Sequence, residues 1–153
     1  MKKIFLIALL LLPACRLLAQ EKGMQGVGPK ISLYTHTGRG AVFAVGGYYR
    51  HCMSDALRFE ASLMIPCRSG ASVDLGCEAH YLIGLTGRWS LYPLAGIGAN
   101  DLGVWSFGVE LGAGCDYLIR RRWGVSAQCR YRFQTARFVR DPIVFSVGTT
   151  FMF

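Results

Sequence analysis

The chain has 153 residues, 52% of them hydrophobic, and a formal net charge of +8. This is enough for one domain with a large apolar surface and too little for two ordinary domains. The basic excess is modest and scattered, which speaks against nucleic acid as the partner of an exported chain.

The opening stretch MKKIFLIALLLLPACRLLAQ places Lys2 and Lys3 before an apolar run at 4–12 and a helix-breaking Pro13. That layout predicts a secretory signal peptide over 1–19, cleaved after Ala19, because the run is too short to span a bilayer as a helix. A second reading takes LPAC as a lipoprotein processing site with Cys15 acylated. Loss of Lys2, Lys3 and Arg16 takes the net charge from +8 to +5 in a mature domain at 20–153. Loss of Cys15 leaves the odd set Cys52, Cys67, Cys77, Cys115 and Cys129, whose spacing matches no metal motif. Cys77, Cys115 and Cys129 read as small hydrophobes.

Beyond the leader, the longest nearly uncharged stretch, 89–109, is broken by Pro93 and by glycines at 96, 98, 103 and 108. Its period is two. The same alternation, punctuated by turn clusters, predicts eight antiparallel strands near 26–37, 40–51, 56–66, 71–84, 88–99, 104–119, 122–134 and 142–153. The bounds of the first two strands are the hardest to set, because AVFAVGGYY is apolar on both faces.

Parity sorts the side chains. In the third strand Leu57, Phe59, Ala61, Leu63 and Ile65 alternate with Arg58, Glu60 and Ser62. In the fourth, Leu75, Cys77, Ala79 and Tyr81 alternate with Asp74, Glu78 and His80. In the sixth, Trp105, Phe107, Val109 and Leu111 alternate with Ser106 and Glu110, and the pattern continues to Asp116. In the seventh, Trp123, Val125, Cys129 and Tyr131 alternate with Arg130 and Arg132. One face is free of formal charge; the other mixes both signs with many glycines.

Such alternation suits both a soluble barrel with an apolar interior and a membrane barrel with an apolar exterior. Small residues beside Arg58, Glu60, Asp74, Glu78, Glu110, Asp116, Arg130 and Arg132 suit a narrow lumen holding a charge network, whereas a soluble surface would carry more lysine. Aromatic placement points the same way. Tyr81, Trp89, Tyr117, Trp123 and Phe153 fall at one set of strand ends, and Trp105 and Tyr131 toward the other, as a girdle at each interface requires. The reading is therefore an all-β fold, an eight-stranded antiparallel up-and-down transmembrane barrel. Eight-stranded interiors are just wide enough for side chains, so no continuous pore is expected.

The segments LLAQ, YPLAGIGAND, FGVELGAGCDYLIRRRWGV and SVGTTFMF resemble the small outer-membrane β-barrel superfamily, of the OmpA transmembrane-domain and OmpX type, in the compact form common among Bacteroidetes. SVGTTFMF resembles an outer-membrane assembly signal, with Ser146, Gly148, Phe151 and Phe153 at the positions that matter. The resemblance implies residence in the outer membrane of a Gram-negative bacterium. It also implies outer-membrane lipids as surroundings and the assembly machinery as a partner during biogenesis. It implies no single activity. The sequence lacks the long protruding strands of OmpX and the C-terminal peptidoglycan-binding domain of OmpA.

Chemistry is sparse. His36, Ser32 and Ser69 could bring a Ser–His pair near the outer rim, but no nucleophile motif accompanies them. His80, Glu78, Asp74 and Glu110 could hold a metal or pair with lumen arginines, and pairing is the simpler account. The Arg120–Arg121–Arg122 run sits at a periplasmic turn, either touching phospholipid headgroups or merely solvated. The expected protein is a small, non-enzymatic outer-membrane barrel without cofactor, structural or engaged in surface interaction. Its rivals are a soluble lipocalin-like binder, with the odd-numbered side chains lining a cavity, and an outer-membrane lipid-modifying barrel enzyme.

Overall fold

A computed structural model describes residues 22–37, 40–70, 72–102, 104–135 and 140–153. The leader at 1–19, its cleavage site and Cys15 lie outside the described residues.

Among the described residues the chain forms only strands: β1 (Gln25–Thr35), β2 (Val42–Cys52), β3 (Leu57–Pro66), β4 (Asp74–Tyr81), β5 (Ile83–Thr86), β6 (Trp89–Asp101), β7 (Trp105–Arg120), β8 (Trp123–Gln134) and β9 (Ile143–Met152). β4 and β5 are one stave interrupted at Leu82, so these segments make a closed barrel of eight antiparallel staves. The fourth stave runs later than the sequence suggests, ending at Thr86 before the turn at Gly87 and Arg88. Closure comes from β1 pairing with β9, from Gly26 opposite Met152 to Thr35 opposite Ile143. No sheet edge remains, which is the condition for strands to cross lipid, where no water can satisfy a free backbone amide.

The pleat sends alternate side chains to opposite faces, and the bend of a narrow barrel crowds one set inward. The even-numbered set is inside. Lys30, Arg50, Arg58, Arg130 and Arg132 are buried there with Glu60, Asp74, Glu78, Glu110 and Asp116. Outside stand Ile31, Leu63, Ile97, Phe107, Val109 and Val147, each half exposed or more. Cys77, Cys115 and Cys129 also point outward, and none is in a disulfide. A lipocalin-like arrangement needs the odd-numbered apolar side chains to line a cavity; here they form the outer surface, and the interior is charged.

Candidate functional site: a sealed, charge-matched lumen

The interior is layered. Toward the rim where β1 ends, Tyr34, Val42, Ala44, Met64 and Val144 form an apolar plug, with Leu102 packed on it. Toward the other rim Leu82, Tyr92 and Leu94 form a second apolar cluster. Between them lie five cationic and five anionic side chains.

The central charges fall into linked groups. Glu60 takes Lys30 on one carboxylate oxygen and Arg50 Nε on the other, the latter at 2.5 Å. Lys30 Nζ also donates to Gln128 Oε1 at 3.0 Å. Asp116 accepts from Arg58 Nη1 at 2.5 Å and from Arg50 Nη1 at 3.3 Å. Arg132 grips Asp74 with both terminal nitrogens, at 2.7 and 3.1 Å, and reaches Glu110 as well. Arg130 bridges Glu78 and Glu110. Removing ions from water costs several kcal/mol each, a cost offset only where geometry is good and remaining polar atoms are satisfied. Equal numbers of each sign give every carboxylate a cation, although among the described residues Arg50 Nη2 and Arg130 Nε and Nη2 are buried without a hydrogen-bond partner.

Aromatic rings complete the layer. Tyr92 stacks on His80 with centroids 4.7 Å apart and lies under the Arg58 guanidinium, also at 4.7 Å. Tyr48 lies beneath Arg50 and Lys30, at 4.5 and 4.9 Å. Tyr34 donates its hydroxyl to Asp74. His80 Nδ1 accepts from Arg58 at 3.2 and 3.0 Å, so its hydrogen sits on Nε2, which donates to Glu78 at 3.0 Å.

All eight charged residues expected in the lumen are inside, and the structure adds Lys30 and Arg50. Both have even numbers within strands, so parity could have found them; the two-faced apolarity of the second strand hid Arg50. Tyr34, Tyr48 and Tyr92 were hidden because aromatic residues read as outer-face residues. Glycines make room for this filling. A Cβ on Gly98 would lie 2.8 Å from Arg132 Nη2, and one on Gly114 would lie 2.5 Å from the Tyr92 ring.

Glu60, Glu78 and His80 can bring three donor atoms within 4.8 Å of one another. Their carboxylates, however, already hold Lys30, Arg50 and Arg130, and His80 Nδ1 holds Arg58. A cation entering there would meet cations. Asp74 and Glu110 belong instead to the Arg132 group. Ser32 bonds Ser146 inside the barrel at 2.8 Å, whereas exposed His36, with φ +61°, contacts the Asp141 carbonyl at 3.1 Å. The Ser–His pair is not assembled, and Ser69 is exposed in the β3–β4 loop.

On the outside, Tyr81, Trp89, Tyr117, Trp123 and Phe153 lie at the rim shared by Gln25 and Phe153. Trp89 packs on Tyr117 at 4.8 Å, and Trp123 meets Phe151 edge-on at 5.2 Å. Trp105 begins β7 at the other rim, and Tyr131, packed on Phe133 at 4.7 Å, pairs with Ile143 near it. Of the four residues that resemble an assembly signal, Ser146 is interior, Gly148 faces Tyr48, and Phe151 and Phe153 are stacked at 6.5 Å on the outside.

The barrel has counterparts among solved structures. The N-terminal barrel domain of Pseudomonas aeruginosa OprF superposes with a TM-score of 0.68, at 15% identity over 86% of this chain and 100% of that one. The fold is that of the small outer-membrane barrels. The attachment invasion locus protein Ail of Yersinia pestis gives 0.60 at 15% identity over 86% and 99% of the two chains. Outer membrane protein W of E. coli gives 0.59 at 16% over 88% and 100%. No protein-family model and no curated protein matches the sequence.

Proposed function

We propose that the chain is exported by its first 19 residues and that 20–153 reside as a non-enzymatic barrel in the outer membrane of a Gram-negative bacterium. There it acts as a structural or surface-interaction protein rather than as a channel. The observation that carries this reading is the inversion of the usual soluble pattern: ten charged side chains buried in matched pairs, with large apolar side chains covering the outside. An apolar band of this extent on a soluble surface would drive aggregation, whereas lipid accommodates it. The plugs at Tyr34, Met64 and Val144 and at Leu82, Tyr92 and Leu94 argue against passage through the lumen. Delivery would depend on the assembly machinery engaging Ser146, Gly148, Phe151 and Phe153, and the surroundings would be outer-membrane lipids.

Cell fractionation combined with electrophoresis of boiled and unboiled samples tests this. The protein should partition with the outer membrane and change mobility on boiling, and liposomes carrying it should not swell in small sugars. Recovery in the soluble periplasm would refute the membrane assignment, and rapid swelling would refute the sealed lumen.

A further inference from the structure

Every cation in the lumen faces a carboxylate, but four arginines at the rim shared by Gln25 and Phe153 do not. Arg88 occupies the β5–β6 turn, and Arg120, Arg121 and Arg122 occupy the end of β7 and the β7–β8 turn. All four are exposed, and among the described residues no carboxylate pairs with them. The two turns are neighbours at one rim. The Leu118 amide donates to the Arg88 carbonyl at 2.8 Å, and the Met152 amide to the Arg122 carbonyl at 2.8 Å. Three of the four flank a girdle tryptophan: Arg88 precedes Trp89, Arg122 precedes Trp123, and Arg120 is paired with Trp123 across the ladder.

Among the described residues, charge is unevenly shared between the rims. This one carries Lys22 and the four arginines against a single described side-chain carboxylate, Asp55, which accepts from the Lys22 amide at 3.2 Å. The opposite rim sets Arg68 and Arg140 against Asp101 and Asp141. Tryptophan and tyrosine rings settle at headgroup level, so guanidinium groups one residue farther out reach the depth of lipid phosphates. Arginine's planar fork matches a phosphate with two parallel hydrogen bonds. Exposed Leu91 below the ring, with Leu85 and Ile119 beside it, offers contact to acyl chains.

We propose that Arg88, Arg120, Arg121 and Arg122, with Trp89, Tyr117 and Trp123 beneath them, form a binding surface for anionic phospholipid headgroups in the leaflet at this rim. The inference rests on the membrane reading above and adds a lipid preference to it.

The test reconstitutes the full chain in phosphatidylcholine vesicles and measures, by electron spin resonance, how strongly spin-labelled phosphatidylglycerol and phosphatidylcholine are immobilised on it. Phosphatidylglycerol should be preferred roughly fivefold, the effect of about one arginine at an anionic surface. The preference should vanish in the R88Q/R120Q/R121Q/R122Q variant, survive in the corresponding all-lysine variant, and be unchanged in R68Q/R140Q. Should the glutamine variant not fold, 0.5 M salt on the wild-type protein serves the same purpose, because screening must reduce an electrostatic preference. Equal immobilisation of both lipids by a folded, heat-modifiable wild-type barrel overturns the headgroup surface and leaves the membrane reading standing. Failure to insert and to immobilise either lipid overturns both.

Discussion

Gln25 and Phe153 exchange two backbone hydrogen bonds: the Gln25 amide donates to the Phe153 carbonyl at 3.1 Å, and the Phe153 amide to the Gln25 carbonyl at 2.9 Å. They fasten the first stave to the last at the rim where the aromatic side chains gather. Removing Phe153 frees the Gln25 groups and takes away the ring that stacks on Phe151. Each lost hydrogen bond costs about 1 kcal/mol. A chain lacking Phe153 is expected to reach the outer membrane at clearly reduced levels, judged by fractionation and immunoblotting, while still folding in detergent. Normal membrane levels would show that this residue is dispensable for assembly.

Charge placed on the outer face should be penalised according to depth. Val109 stands on β7 between the girdle residues Trp105 and Tyr117 and is 52% exposed, and Ala79 shares its face on β4. Val109→Arg or Ala79→Arg should cost about 2–4 kcal/mol in vesicles, whereas Val104→Arg at the rim should cost about 0–1 kcal/mol. Urea unfolding followed by tryptophan fluorescence measures the difference. Ser106 is no mild control for this scan. Its side chain is buried between Asn100 and Gln134, at 3.2 and 2.8 Å, and an arginine there would overfill the lumen.

Among the described residues Arg132 is the sole cation gripping Asp74, and it shares Glu110 with Arg130. Arg132→Met should therefore destabilise the barrel by about 3–5 kcal/mol, because it strands buried negative charge. Neutralising Asp74 as well, in R132M/D74N, leaves the lumen charge-matched and should restore more than half of the loss. Equal stability of the single and double variants would mean that the charges contribute little to the fold.

Gly114 lies under Tyr92, whose ring atoms would stand 2.5 and 2.6 Å from a Cβ at this position. Gly114→Ala should cost about 1–3 kcal/mol through overpacking. Tyr92→Leu sacrifices the stack on His80, but in the double variant it should relieve the clash, so the two effects should not add. Strict additivity in a double-mutant cycle would place the strain elsewhere.

Much of this architecture can be read locally. Alternation in LRFEASLMI, repeated from strand to strand, identifies strands and assigns Phe59, Leu63 and Ile65 to one face and Arg58 and Glu60 to the other, because successive side chains in an extended chain must point oppositely. Turn residues bound the staves to within a few positions. Only the closed barrel decides who meets whom. Arg132 finds Asp74, 58 positions away, and Lys30 finds Gln128, 98 positions away, because strand register and the narrow lumen bring opposite walls together. Parity alone could not pair them, nor show that Tyr34, Tyr48 and Tyr92 turn inward among the charges, since alternation is a property of neighbours along one strand and lumen packing a property of eight.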